Sequence, residues 1–368
     1  MMKKGLLLLV IAVLGVACGS SGSDTPSTPD DTFDRGKILT NVADNLVIPA
    51  FTNVQTKLST LKSKATAFTT TATSASLNEA RTAWLDAYKA WQHVAMFNIG
   101  KAEDLEFVNF MNIFPVTKAD IDANIASGTY DFNSSNNHDA QGFPALDYLF
   151  YGVGANDTEI LAKYTTDAKA ANYKKYVNDV ISKMIEVNDA VLNNWKGSYR
   201  DTFVKSTGNT ATSAFNKLVN DYVFYYEKRL RAVKVGIPAG NFSSTPLPEK
   251  VEAFYRKDVS KALALEALKA VKNLFNGTHF SGSTSGDSFK SYLEALDKGS
   301  LVGLINGQFD IAKTQLESLN DNFYWQVTND NTKMTKAYDE LQKAVVLLKV
   351  DMLQAFKVTV DYVDADGD

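Results

Sequence analysis

From about residue 37 onward, apolar residues recur at steps of three and four, the spacing that lays one face of a helix against a core. Leu39, Val42, Leu46, Val54, Leu58 and Leu61 form the first stripe, with Pro49 expected to kink it. Leu77, Ala80, Trp84, Tyr88, Trp91 and Ala95 form a second, and Ser76-Leu77-Asn78-Glu79 ahead of it reads as a capping box with Ser76 as the N-cap. Tyr173, Val177, Val180, Met184, Val187, Val191 and Trp195 form a third, stopped near Gly197. A fourth runs from Phe215 through Val219, Tyr222, Tyr226, Leu230 and Val233 to a stop at Gly236. A fifth runs from Val251 through Tyr255, Val259, Leu263, Leu268 and Val271 to Phe275, ending at Asn276-Gly277. Leu301, Leu304, Gln308, Ala312, Leu316 and Leu319 trace a weaker one, and Met334, Tyr338, Leu341, Val345, Leu348, Met352 and Phe356 close the set. No stretch alternates as a half-buried strand would. The pattern predicts an all-α fold of long bundle helices, and the length fits two bundles, 37–165 and 166–360. Two irregular stretches interrupt it, residues 99–142 and the Gly/Pro-rich 235–248, and long loops in helical domains are often functional.

The beginning of the chain is different. Lys3 and Lys4 precede an apolar run from Leu6 to Val16, and Ala17-Cys18-Gly19-Ser20 follow. A charged start, a short apolar stretch and a small residue before the cut make an export signal, and the run is well short of the roughly 20 residues that span a bilayer. Cys18 is the only cysteine. A lone cysteine at this place resembles a bacterial lipoprotein lipobox, although Gly15 stands where leucine is usual; the other reading is a plain secretory peptide with an incidental cysteine. The lipobox reading implies loss of residues 1–17 and acylation of Cys18. It implies a membrane partner through that anchor, and a place in the cell envelope, on the outer membrane of a Gram-negative bacterium. Residues 18–36, rich in Gly, Ser, Thr, Pro and Asp, read as a disordered tether, and residues 361–368 as a disordered acidic tail.

Composition narrows the chemistry. Without Lys3 and Lys4 the chain holds 36 basic and 42 acidic residues, a charge of −6, which argues against a nucleic-acid partner. A single cysteine leaves no disulfide framework and no thiolate zinc site. The three histidines, His93, His138 and His279, do not stand at metal-ligand spacing, and neither a phosphate-binding loop nor a dinucleotide fingerprint occurs. His93 reads as a surface or helix-contact residue, and His279 as exposed in a Gly/Ser/Thr-rich turn. Glu103, Asp104 and Glu106 either offer oxygen ligands to a cation or form a solvated helix end. Tyr222, Phe224, Tyr225 and Tyr226 read as core aromatics rather than a stacking surface. The run Lys228-Arg229-Leu230-Arg231 either holds an anion, pairs with a carboxylate, or is a solvated helix end.

Residues 142–152, Gly-Phe-Pro-Ala-Leu-Asp-Tyr-Leu-Phe-Tyr-Gly, resemble the signature region of the imelysin family, iron-regulated bacterial proteins also classed as peptidases. Three further segments agree in order: Ala83-Trp84 to Trp91, Arg231 to Gly240, and Pro248 to Tyr255, read as a helix start. The resemblance covers roughly residues 37–358 and implies two four-helix-bundle-like halves packed around a central cleft. The family's motif is Gly-x-His-x-x-Glu, whose His and Glu share a helical face and can grip one cation. Here Pro144 stands for the His and Asp147 for the Glu, so two ligands become at most one. Pro144 suits a helix start instead. His138 is the candidate to replace the missing ligand beside Asp147, for an iron or zinc ion if any is retained.

The resemblance therefore implies a cleft lined by Gly142, Pro144, Asp147, Arg231 and Glu252, with Lys234 beside it. Asp147 in a wet cleft would contribute little to stability. The leading expectation is a non-catalytic binding or accessory protein in iron or haem acquisition. The alternatives are a metal-dependent peptidase with a rebuilt site, and a scaffold that docks an envelope protein through Phe107, Phe110 and Phe114.

Overall fold

Among the described residues, eight long helices carry the structure. Helix α1 runs from Arg35–Asn41 through a wide segment, Val42–Val47, into Ile48–Thr70. Helix α2 is Ser74–Trp91, and α3 is Gly142–Asp147 continued by the wide Tyr148–Gly152. Helix α4 is Ala170–Lys196. Helix α5 joins Ala214–Phe224, the wide Tyr225–Gly236 and Ile237–Ala239. Helices α6 and α7 are Ser260–Asn276 and Gly299–Glu317. Helix α8 joins Asn331–Val346, the wide Leu347–Met352 and Leu353–Phe356. The fold is all-α; among the described residues the β contacts amount to one isolated bridge, Thr278 with Ser285.

This computed structural model describes residues 31–282 and 284–362. The export segment, Cys18, the tether to residue 30, and Asp364, Asp366, Gly367 and Asp368 of the tail lie outside the described residues. Asp361 and Tyr362 are described: the Asp361 N–H donates to Asn220 Oδ1 at 3.2 Å and the Tyr362 hydroxyl to Glu227 Oε2 at 2.7 Å. None of the described helices is long and apolar enough to cross a membrane.

Helix α1 packs along both α2 and α4, and α3 sits on α4 and α2. The wide part of α5 packs on α8 and α6, and α7 packs between α6 and α8. Helix α6 also touches α2, joining the two sets. Helix α4 starts beyond residue 165 yet lies with α1. The cores of both sets are aromatic-rich: Trp84, Trp91, Trp195, Tyr222 and Tyr226 are all buried.

The helix ends correct the sequence reading in several places. The N-cap of α2 is Thr73, not Ser76: the Thr73 side chain accepts the Ser76 N–H at 3.2 Å, and Ser76 Oγ accepts the Thr73 N–H at 3.0 Å. Glu79 is then one turn inside and pairs with Lys64 at 2.9 Å. Helix α5 passes through Gly236 and ends at Gly240, at φ +86°. Helix α6 starts at Ser260; the stretch 251–259 is not helical, and Ala253 and Lys257 take positive φ. The buried residues of α7 are Leu301, Val302, Ile305, Phe309, Ala312 and Leu316, and Leu304 is 60% exposed.

Two of the wide segments have a common cause. Val42–Val47 stops two residues before Pro49, and Tyr225–Gly236 two residues before Pro238. A proline inside a helix supplies no N–H and crowds the carbonyl four residues back. Widening the preceding turn to i→i+5 bonds relieves the crowding: the Ile48 N–H reaches Ala43 O, and the Ile237 N–H reaches Ala232 O. Pro49 thus widens α1.

Gly142 opens α3 at φ +74°, where a Cβ would stand 2.3 Å from the Met111 carbonyl oxygen. Gly142→Ala is expected to lower the unfolding free energy by at least about 2 kcal/mol, from left-handed strain plus the clash, as read by urea unfolding.

Candidate functional site

The signature residues are buried inside the packing of α3. Pro144 lies in its first turn with Ala145 and Leu146, where a missing N–H costs no helix bond. Asp147 is 2% exposed. Its two carboxylate oxygens accept the backbone N–H groups of Tyr255 at 2.8 Å and Arg256 at 2.9 Å. Burial pushes its pKa up to about 7, against the pull of those two N–H donors and of the Arg256 charge. Asp147 is therefore a buried clasp on the 251–259 segment rather than the wall of a wet cleft. Gly152, at the end of the same helix, leaves room for the Tyr255 ring, which a Cβ would meet at 2.4 Å.

The clasped segment carries Glu252, also 2% exposed. Glu252 Oε1 accepts from Asn112 Nδ2 at 2.9 Å and from Gln92 Nε2 at 3.4 Å, and Oε2 pairs with the Lys234 ammonium. Asn112 in turn accepts the Tyr88 hydroxyl at 2.6 Å. Burial draws the Lys234 pKa down, and Glu252 pulls it back up. This chain of contacts ties α2, the loop before α3, the clasped segment and α5 together at one point.

Arg231 does not join it. It is 1% exposed and faces α8, where it donates to the Tyr338 hydroxyl at 2.7 Å and Gln342 Oε1 at 2.5 Å. Its other neighbour is Glu227, at 3.6 Å, a buried carboxylate that also lies 3.2 Å from the Lys349 ammonium. The run 228–231 is thus mid-helix, with Arg231 inside the core, rather than a solvated helix end.

The open space lies directly above the Lys234–Glu252 pair. A cavity of about 330 Å³ is walled by Trp91, Gln92 and Asn112 on one side and Tyr225, Arg229 and Lys234 on the other. A second, of about 340 Å³, adjoins it and shares Ala95, Val108, Tyr225 and Arg229. Both fall within the roughly 300–1,000 Å³ of small-molecule pockets. Of the five predicted cleft residues, none lines either cavity; Glu252 reaches the first through Lys234, Asn112 and Gln92. The sequence signal for the wall was partial: Lys234 and Arg229 stood out as cations and Tyr225 as a core aromatic, whereas Gln92 and Asn112 carried no mark.

The remaining candidates are dispersed. His138 lies against Phe110, ring centroids 5.2 Å apart, and lines a separate surface hollow with Asp120 and Asp139. It makes no hydrogen bond or ion pair to Asp147. His93 sits just past the end of α2, 2.9 Å from Glu266 on α6. His279 is held by Thr284 at 2.6 Å. Glu103 pairs with Lys217 at 2.8 Å, and Glu106 accepts from Asn109 at 2.8 Å. Phe107 is buried between Phe51 and Trp91, whereas Phe110 and Phe114 are half-buried and Phe114 lines the first cavity. Among the described residues no three His, Cys, Asp or Glu side chains gather as a metal site. The ion implied by the motif does not fit what stands there: Pro144 has no donor atom, and both Asp147 oxygens face backbone N–H groups.

The family model for imelysin, peptidase M75, matches residues 47–350. Two solved structures are similar at 17% identity and a TM-score of 0.71. One is an imelysin-like protein from Psychrobacter arcticum 273-4, with 89% of this chain and 97% of that one covered. The other is named as an iron-regulated protein A precursor, from Parabacteroides distasonis ATCC 8503, with 91% and 97% covered. At that identity they establish a shared fold. Comparison with curated proteins returned no match.

Two measurements check this site. Asp147→Ala strands two buried N–H groups and is expected to cost about 2–4 kcal/mol in chemical unfolding. Asp221, on the wall of the second cavity, has its pKa raised to about 8 by burial, then by Asp361 and Glu103. The unfolded chain releases this proton near pH 4 and the folded chain near pH 8. The folded state therefore binds the extra proton between them, and stability falls as pH rises through that window. Asp221→Asn should remove this fall, so that its melting temperature exceeds wild type at pH 9 and approaches it at pH 4.

Proposed function

The chain belongs to the imelysin family, and from that premise we propose that it is a non-catalytic binding or accessory protein in iron or haem acquisition, anchored in the cell envelope through acylated Cys18. One observation carries the non-catalytic part. The single carboxylate left at the family's motif, Asp147, spends both oxygens on the N–H groups of Tyr255 and Arg256. A carboxylate fixed that way is a structural anchor, and with Pro144 beside it neither a metal ligand nor a general base is offered. What the fold keeps is a walled cavity of ligand size next to that anchor. Support for the iron association comes from the name carried by the Parabacteroides protein. Support for the envelope anchor comes from the apolar run ending at Cys18. Against the peptidase reading stands the lack of a clustered metal site among the described residues, and against the scaffold reading the burial of Phe107, one of its three phenylalanines.

The experiment has three readouts. Elemental analysis and calorimetry with iron and zinc are expected to show no stoichiometric ion that Asp147→Ala removes, and no chelator-sensitive cleavage of peptides. Growth under iron limitation is expected to raise the protein's abundance, and Cys18→Ser to abolish fatty-acid labelling. A bound ion lost in Asp147→Ala would return the site to metal chemistry; abundance indifferent to iron would sink the iron reading.

A further inference from the structure

Arg229 is the residue that the packing leaves without a partner. It lies in the wall common to both cavities, partly buried. Among the described residues its guanidinium makes no hydrogen bond and no ion pair; its one ring contact is a distant one, 5.9 Å from the Phe224 centroid. The other cations of α5 are all engaged: Lys234 by Glu252, Arg231 and Lys228 by Glu227. Of the four carboxylates in the second cavity, Glu103 is engaged by Lys217 and Glu106 by Asn109, while burial raises the pKa values of Asp221 and Asp361. Burial draws the Arg229 pKa down, and no carboxylate opposes that effect. An arginine withdrawn from water without an acceptor is costly, and such a group is ordinarily paired.

A second, independent observation points to the same place. The Tyr225 hydroxyl and Gln92 Oε1 are buried with no hydrogen-bond partner, and both residues line the first cavity. Tyr225 is 3% exposed and Gln92 fully buried. Three polar groups that lack partners therefore belong to the lining of one cavity, which Trp91, Val108, Phe114 and Ile237 make apolar over much of its wall and to which Asn112, Lys234 and Lys250 add polar groups.

We propose that this cleft takes an organic anion, with a carboxylate or phosphate head on the Arg229 guanidinium and an apolar body along Trp91, Val108, Phe114 and Ile237. The planar guanidinium offers two parallel donors to either head group, and the charge-assisted bonds form where water is largely excluded. Tyr225 supplies a hydroxyl donor beside it, and Gln92 Oε1 an acceptor for a polar group on the body. The inference rests on the reading of this cleft as the ligand site.

The test is calorimetric titration of the purified full chain with phenylacetate, phenyl phosphate, inorganic phosphate and the neutral phenylacetamide. An organic anion is expected to bind at least about tenfold tighter than phenylacetamide, the worth of one charged hydrogen-bonded contact. Arg229→Gln should remove that advantage while keeping its helical circular dichroism, and Arg229→Lys should retain part of it. If Arg229→Gln does not fold, the comparison passes to Arg229→Lys and Tyr225→Phe, each expected to weaken the anions more than phenylacetamide. Whichever of phenylacetate and phenyl phosphate binds better identifies the head group, and inorganic phosphate binding more weakly than phenyl phosphate assigns a share to the apolar wall. Equal binding of phenylacetamide, unchanged anion affinity in the Arg229 variants, or no binding by any probe would overturn the inference. An intact iron response with no anion binding would overturn this inference alone. Anion binding in a protein whose abundance ignores iron would overturn the iron reading alone.

Discussion

The clasp of the Asp147 carboxylate on two successive backbone N–H groups is the contact on which the site depends. It fixes a stretch that makes no helix of its own and carries two residues at positive φ, Ala253 and Lys257. That stretch holds Glu252 against Lys234, Asn112 and Gln92, and its carbonyl at Glu252 accepts the Ser260 hydroxyl at 2.7 Å where α6 begins. A buried carboxylate is tolerable only when its lone pairs are filled. Here the donors come from a segment more than a hundred residues away in sequence, so one side chain on α3 sets the path of the chain leading into α6. Asp147 acts as a fastening, and the open space has its wall in α5.

The helices were legible because their apolar spacing is local: α4 and α6 bury the residues the pattern named within them, and α8 all but the half-buried Tyr338. The misreadings trace to forces the spacing does not record. Val251, Tyr255 and Val259 stand four apart like a helix face, yet the segment is bent by Asp147 from across the fold. In α7 the stripe named the buried Leu301, Ala312 and Leu316, but also Leu304 and Gln308, each one residue ahead of the buried Ile305 and Phe309 that face α6 and α8. Thr73 outcompetes Ser76 as the cap of α2 because its hydroxyl and Ser76's can serve each other's N–H groups.

The site was legible in its charges and not in its geometry. Arg229, Arg231 and Lys234 lie within six residues, and nothing in their identities separates them. Their fates differ because α8 offers Tyr338 and Gln342 to Arg231, and the clasped segment offers Glu252 to Lys234. Arg229 faces a gap between elements. Gln92 and Asn112 acquire their roles from where α2 and the following loop end, which residue type does not announce.

The wide course of α5 from Tyr225 to Gly236 bears on how relatives should be compared. In i→i+5 geometry Arg229 and Lys234 come round to the same side, whereas an ordinary helix would turn them far apart. The cleft wall is therefore a property of residue count along the helix as much as of residue identity. A relative lacking one residue between Phe224 and Pro238 could keep every cation and still present a different wall. Insertions and deletions inside this helix, ordinarily treated as alignment errors, would be the natural evolutionary means of changing what the cleft accepts.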